Sequence, residues 1–125
     1  ALAQYEAALA IRREVGDRAG EGATLNNIGV VYDDLGDKQR ALAQYEAALA
    51  IRREVGDRSG ESVTLYNMAM IYRERGAYRE AIAALERVVA LDEAVQHPDL
   101  ESDRAMLARV RAEAAATADN ALGNE

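Results

Sequence analysis

Residues 1–19 and 41–59 form nearly the same peptide. The sequence ALAQYEAALAIRREVGDRA recurs forty residues later as ALAQYEAALAIRREVGDRS, with Ser59 in place of Ala19. A repeat period of about 20 to 50 residues is typical of arrays in which each repeat is one supersecondary unit stacked on its neighbours. Because stacked units form an extended surface, the pattern favours a binding protein, and it does not name the partner.

The composition indicates an all-α domain. The chain has 125 residues, half of them hydrophobic, with one Pro and no Cys, Trp or Phe. Its many Ala, Leu, Glu and Arg residues favour helices. Its length suffices for one continuous core but not for a large catalytic domain. The absence of Cys excludes disulfides and thiolate metal sites and fits a cytoplasmic protein.

Apolar spacing and glycine breaks predict alternating helices. Leu25, Ile28 and Tyr32 fall on one stripe of a helix, as residues at i, i+3 and i+7 do. Asp37 follows a glycine and suits an N-cap, and Gly56 suits a C-cap. We expect A helices over 22–35 and 61–75, B helices over 1–15, 38–55 and 78–95, a turn over 57–60, and a final helix over 98–117.

This spacing resembles the tetratricopeptide repeat, in which a large apolar residue precedes L-G, Y, A, an aromatic and A. The first full unit meets the pattern with Leu25, Ile28-Gly29, Tyr32, Ala41, Tyr45 and Ala48, and the second with Leu65, Met68-Ala69, Tyr72, Ala81, Leu85 and Val88. The usual period is about 34 residues. The longer period here is similar to the subclass in kinesin light chains, Pins-type polarity adaptors and large bacterial signalling ATPases. TLNNIGVVY at 24–32, GDRAGE at 16–21 and HPDL at 97–100 are close to that subclass.

The resemblance implies a right-handed superhelical array of antiparallel helical hairpins. Each hairpin has two apolar faces, and stacking buries the face that it cannot cover alone. The expected parts are 1–21, a B helix of a truncated repeat with its linker; 22–61 and 62–97, two repeats; 98–118, a degenerate repeat or C-terminal capping helix; and 119–125, a disordered tail. Because the chain opens inside a helix, we interpret it as a fragment of a larger protein.

The last A helix departs from the repeat pattern. Arg104 and Arg111 occupy the positions of Leu25 and Tyr32 when Leu107 is aligned with Ile28. Charges at these positions suit a final helix whose outer face meets water, as a capping helix requires. We therefore expect the array to end at this helix.

The resemblance also implies a peptide-binding groove lined by the A helices. In the subclass, an Asn at the position of Asn27 and Asn67 holds the ligand backbone. A carboxamide can do so because it both donates and accepts hydrogen bonds. The implied groove residues are Asn26, Asn27, Val30, Asp34, Tyr66, Asn67, Met70, Arg73 and Glu74.

Two observations about this groove leave alternatives open. Asn27 and Asn67 could instead be solvating an exposed face or bonding a neighbouring helix. Most positions of 21–40 differ from 61–80, whereas only one differs in the preceding half of the unit. This variation fits a tailored groove over a constant scaffold, and it fits equally a duplication boundary inside the unit.

No constellation of catalytic or metal-binding residues can be assembled. The basic pairs at 12–13 and 52–53 are followed by Glu14 and Glu54, which indicates a solvated face of mixed charge. His97 has no second His beside it and is expected to have a loop role. Without a nucleophile with its base or a phosphate-binding loop, we expect no enzyme, no cofactor and no metal.

The partner is expected to be a protein or peptide. A net charge of −7 argues against nucleic acid and anionic membranes as main ligands. The alternative is a self-assembly element without a peptide ligand. Separately, because helix 1–15 lacks its own A-helix partner, we expect Leu2, Tyr5 and Leu9 to expose an apolar stripe that supports weak homo-oligomers.

Overall fold

Six helices account for most of residues 1–123, the part of the chain that this computed structural model describes. They are α1 Leu2–Val15, α2 Arg18–Asp34, α3 Lys38–Val55, α4 Arg58–Glu74, α5 Tyr78–Val95 and α6 Leu100–Gly123. Each helix packs on the next one along the chain, and α2 also contacts α4. No strand occurs within residues 1–123. The expected all-α array of helical hairpins is confirmed, with α2, α4 and α6 as A helices and α1, α3 and α5 as B helices.

The A helices begin earlier than the sequence predicted. Asp17 and Asp57 are N-caps, and each side chain accepts a hydrogen bond of 2.9 Å from the backbone N–H three residues on, at Gly20 and Gly60. The turn predicted over 57–60 is therefore wrong, because residues 58–60 are the first turn of α4. The predicted N-cap Asp37 is confirmed, since it accepts from the backbone N–H three residues later.

Helix α6 also differs from its predicted bounds. It begins at Leu100, after Pro98 in the preceding turn, and it continues to Gly123. The part of the predicted disordered tail over 119–123 is thus helical, while residues 124–125 lie outside the described part of the chain. The Ala-rich sequence of 112–122 explains the extension, because Ala has the highest helix propensity.

The core consists of two clusters along the array. Leu9, Leu25, Ile28, Ala48 and Ile51 form the smaller one, between α1, α2 and α3. The larger cluster joins α3, α4, α5 and α6, and Tyr32 packs against both. Each helix pair therefore buries its apolar face against the next pair, as nearest-neighbour stacking requires.

The apolar stripe expected on the first helix is largely covered. Leu9 is 9% exposed and belongs to the smaller cluster, and Leu2 and Tyr5 are half-buried against it. The expectation that these three side chains would be exposed is therefore wrong for Leu9 and overstated for the other two. The physical reason is that α2 packs on this face.

A different face of α1 is open. Ile11 is 59% exposed, whereas Ile51 at the equivalent position of α3 is 6% exposed. Ile51 lies against Gly22 of the A helix before it. Identical local sequence thus has different burial, because no A helix within residues 1–123 packs on that face of α1.

Candidate functional site

The A helices present a matching stripe of accessible side chains. On α2 this A-helix stripe consists of Asn27, Val30 and Asp34, all of them exposed. On α4, the residues forty positions later are Asn67, Met70 and Glu74, of which Glu74 is exposed and the other two are half-buried. The contact between α2 and α4 brings the two halves of the stripe together.

Asn26 does not belong to this surface. It is 6% exposed, and its Oδ1 accepts a hydrogen bond of 3.0 Å from the Thr64 hydroxyl of α4. The prediction that Asn26 lines the groove is therefore wrong. The sequence of a single repeat does not reveal this burial, because the helix that covers Asn26 is α4 of the next repeat.

Asn67 is connected to the same buried group. Its Nδ2 donates to Asn26 Oδ1 at 3.4 Å, and Thr64 Oγ1 accepts from Arg52 Nη1 at 3.2 Å. Asn67 thus has an intramolecular partner on α2, although the bond is near the long limit. Asn27 is exposed and has no hydrogen-bond partner for its side chain within residues 1–123. The two amides of the stripe are therefore not equivalent.

Tyr66 and Met70 form the apolar part of the surface on α4. Both are half-buried and pack against the larger core cluster. Tyr66 stands at the position that Asn26 occupies one repeat earlier. A rigid aromatic ring and a flexible thioether together can pack against varied apolar groups.

Arg73 is engaged by α6. Its Nε and Nη2 donate to the two carboxylate oxygens of Glu113 at 2.7 and 2.5 Å. This bidentate hydrogen bonding raises the pKa of Arg73 and lowers the pKa of Glu113. Arg73, which was expected to line the groove, therefore links α6 to α4 through an ion pair. Glu74 lies 3.3 Å from the Lys38 ammonium.

The basic pairs hold successive helices together. Arg13 donates to Glu21 at 3.1 Å, and Arg53 donates to Glu61 at 2.9 Å, with both carboxylates in buried residues. The side chain of Arg52 is only 11% exposed. The predicted solvated face is confirmed for Arg12, Arg13 and Arg53, which are exposed. It is wrong for Arg52, which donates to Gly60 and Thr64 of the A helix that packs over it.

The comparison with protein families agrees with this architecture. The family model described as tetratricopeptide repeat matches residues 1–54 and 41–94. The chain belongs to the tetratricopeptide repeat family. Members of this family are generally non-catalytic scaffolds for protein–protein interaction. A comparison with curated proteins finds no match to the chain.

A cavity of about 330 Å³ lies where the second full repeat meets α6. Its walls include residues from α4, from the loop between α5 and α6, and from the first turn of α6. Among them are Ser62, Tyr66, Asn67, His97, Asp99 and Asp103. The sequence placed His97 in a loop, which is confirmed, but gave no indication of the cavity around it. His97 Nδ1 accepts a hydrogen bond of 3.0 Å from the backbone N–H of Asp99.

A buried carboxylate lies behind this cavity. Asp92 is 0% exposed, and its Oδ1 accepts from the Ser62 hydroxyl at 2.7 Å. Burial and the neighbouring Asp92 carboxyl raise the pKa of Asp103 to about 7. Asp92 Oδ2 has no partner among the described residues. A proton on Asp103 would provide the donor that this oxygen lacks.

The sequence contains one indication of this pair. Asp92 stands at the position of Arg12 and Arg52 in the preceding units, so the charge is reversed there. In the alignment that places Leu107 with Ile28, Asp103 corresponds to Thr64, which hydrogen-bonds Arg52. An Arg–Thr contact between consecutive repeats is thus replaced by an Asp–Asp contact. A break in a repeat pattern can indicate a functional position.

Two further properties concern metals and membranes. Within residues 1–123, no group of three His, Cys, Asp or Glu side chains is arranged to hold a metal ion. None of the described helices combines the length and the apolar character needed to cross a bilayer.

Proposed function

We propose that this protein binds an extended segment of a protein partner along the A-helix stripe. The observation that carries the proposal is the exposed amide of Asn27, placed one repeat before Asn67 on a helix in contact with α4. A backbone that runs across the two helices would meet one carboxamide per repeat. Each carboxamide can donate to and accept from a peptide group.

The packing of the two layers supports a groove on this side. The A helices α2 and α4 contact each other, and Asn67 Nδ2 donates to Asn26 Oδ1 across them. The two halves of the stripe therefore form one surface, and we propose that it is the concave surface of the array.

The character of the surface favours a protein as the partner. Tyr66 and Met70 provide apolar contact, and Asp34 and Glu74 add negative charge to the ends of the stripe. The net charge of −7 weighs against nucleic acid and anionic lipid. No cofactor or catalytic step is part of this proposal, and the lack of Cys fits the cytoplasm as its location.

A displayed peptide library selected on the full chain provides the test. For a selected peptide, Asn27→Ala should weaken binding about tenfold or more, because the peptide groups it served lose their partner. Gln39→Ala is the matched control, since it removes an exposed amide at the start of α3, a B helix that does not belong to the stripe. Melting temperatures of both variants should stay close to that of the wild type.

Asn67→Ala gives a second measure of the same surface. It should weaken the peptide to a similar degree, and it should also lower stability slightly because Asn67 bonds Asn26. A library that yields no ligand, or a selected peptide whose affinity is the same for Asn27→Ala, Asn67→Ala and Gln39→Ala, would count against the groove.

Self-assembly through α1 is the second candidate, favoured by the exposure of Ile11. At 59% exposed, this side chain lies on the face that Ile51 buries against an A helix. A second chain could cover this face. Sedimentation velocity over a wide concentration range should then detect weak dimers that Ile11→Glu abolishes and the exposed control Leu35→Glu leaves intact. A monomer at the highest concentrations would exclude this candidate.

A further inference from the structure

The cavity between α4 and α6 continues the A-helix stripe. Asn67 belongs to both, and Tyr66 lies beside the stripe in the cavity wall. Its volume of about 330 Å³ is at the lower end of the range in which proteins hold small ligands or single side chains. A segment bound along the stripe could therefore insert one side chain here.

The charges around the cavity have one sign. Asp99 and Asp103 are in its wall, and buried Asp92 contacts both Ser62 and Asp103 of that wall. The lining residues, all within the described part of the chain, include no Arg or Lys. The only basic group in the wall is His97, which accepts a hydrogen bond from Asp99 and is charged only when protonated.

Arg73 and Arg104, on the two helices that flank the cavity, already form ion pairs with carboxylates outside it. Arg104 pairs with Glu93 and Glu101 at 3.0 Å each, and Arg73 pairs with Glu113 on the far part of α6. Glu61 of α4, next to Ser62, is bound by Arg53 and Arg87 and does not add to the cavity. The carboxyl groups of the cavity thus have no Arg or Lys partner within residues 1–123.

We propose that this cavity binds a basic side chain, a lysine or an arginine of the partner segment, with Asp103 as its principal charged contact. The aromatic ring of Tyr66 in the wall can contact a cation, and the Asn67 oxygen and the Ser62 hydroxyl can accept hydrogen bonds. The identity of the ligand rests on the proposed peptide groove, whereas the site itself requires only the cavity and its carboxyl groups.

Binding of a cation is coupled to loss of a proton. In the empty cavity, a proton on Asp103 removes the excess charge beside buried Asp92. A bound ammonium or guanidinium group performs the same role, so the proton leaves to solvent as the cation enters. Because Asp103 titrates near pH 7, affinity for the cation should rise about tenfold between about pH 6 and about pH 8.

The test uses N-acetyl-arginine amide as the probe and the neutral isostere N-acetyl-citrulline amide as its control. In an NMR titration of the full chain, the arginine probe should shift the backbone amides of Tyr66, Asn67 and Asp103 in a saturable way, and more tightly at the higher pH. The citrulline probe should shift them weakly or not at all. Equal binding of both probes, or no saturable shift with either, would overturn the inference.

Asp103→Asn is the decisive variant. The Asn side chain can still donate to Asp92 Oδ2, so the fold is retained, but the cavity loses its titrating carboxyl. Binding of the arginine probe at about pH 8 should weaken about tenfold, and its pH dependence should become nearly flat. Glu101→Gln is the matched control, because it removes a carboxylate that is 86% exposed and outside the cavity. Unchanged affinity and pH dependence in Asp103→Asn would refute the assignment.

The outcomes separate this inference from the proposed function. Selected peptides that bind through Asn27 but contain no basic residue at the cavity would leave the groove in place and refute the inference. Saturable binding of the arginine probe without any selected peptide would support the cavity and contradict the peptide groove.

Discussion

The ring of Tyr45 packs directly on Gly29. A Cβ added to Gly29 would lie 2.6 Å from Tyr45 Cε1, much closer than van der Waals contact allows. At the equivalent positions of the next repeat, Ala69 and Leu85 are both 0% exposed. A glycine opposite a large ring is thus replaced by an alanine opposite a smaller side chain, which is how the two hairpins keep similar packing.

We predict that Gly29→Ala destabilises the protein by about 1–3 kcal/mol, the typical effect of overpacking a core. The gain in helix propensity of roughly 1 kcal/mol offsets only part of this effect. Combining it with Tyr45→Leu, which recreates the Ala69 and Leu85 arrangement, should recover more stability than the two single changes predict. A double-mutant cycle by denaturant unfolding measures this coupling. Additive single effects would contradict the pairing.

Gln96 has a backbone conformation that suits glycine. It ends α5 with φ of 52°, at the position where Gly16 and Gly56 end the earlier B helices with φ of 74° and 73°. A side chain in this left-handed conformation is unfavourable. We expect Gln96→Gly to raise stability by about 0.5–1 kcal/mol, and Gly56→Gln to lower it by a similar amount. Thermal unfolding should show a higher melting temperature for Gln96→Gly and a lower one for Gly56→Gln than for the wild type.

The stability of the protein should depend on the proton of Asp103. In the folded state this carboxyl keeps its proton up to about pH 7, whereas in the unfolded chain it loses it near pH 4. The folded state therefore binds more protons between these values, and the contribution of Asp103 to stability falls as pH rises through that window.

Asp103→Asn should remove this dependence. We expect the variant to match the wild type near about pH 4 and to be more stable by on the order of 1 kcal/mol at about pH 8. The effect is small because solvent screens the half-exposed carboxyl. Carboxylates with lowered pKa values, such as Asp17 and Glu113, act in the opposite direction. The measurement is therefore the difference in melting temperature between variant and wild type across pH, and a constant difference would contradict the prediction.

Asn26 and Asn27 are adjacent residues of the same type in opposite environments. Asn26 is 6% exposed and accepts from Thr64, whereas Asn27 is exposed. Asn26→Ala should destabilise the protein by about 1–3 kcal/mol because it leaves the buried Thr64 hydroxyl without its acceptor. Asn27→Ala should change stability by less than about 0.5 kcal/mol. Chemical denaturation of the pair checks the contrast, and equal effects would contradict it.

The forty-residue repeat by itself determined the architecture. Its apolar stripes, its caps such as Asp37, and its small residues such as Gly29 are local features, and they predicted six helices in the correct order. The first residue of a helix is harder to predict from sequence where an N-cap and a turn favour the same residue types. Asp57 followed by Gly60 predicts a turn, although a capped helix begins there.

Only the tertiary structure decided which of the positions that the sequence predicted to be accessible are buried or paired. Asn26 is buried, Arg73 is bound to Glu113, and Ile11 and Ile51 differ in exposure despite identical surroundings in sequence. In a stacked array, burial depends on the neighbouring repeat, so a position cannot be assigned from its own repeat alone. The pairing of Asp92 with Asp103 follows the same rule, because two helices from different repeats must meet before either carboxyl is shielded from water.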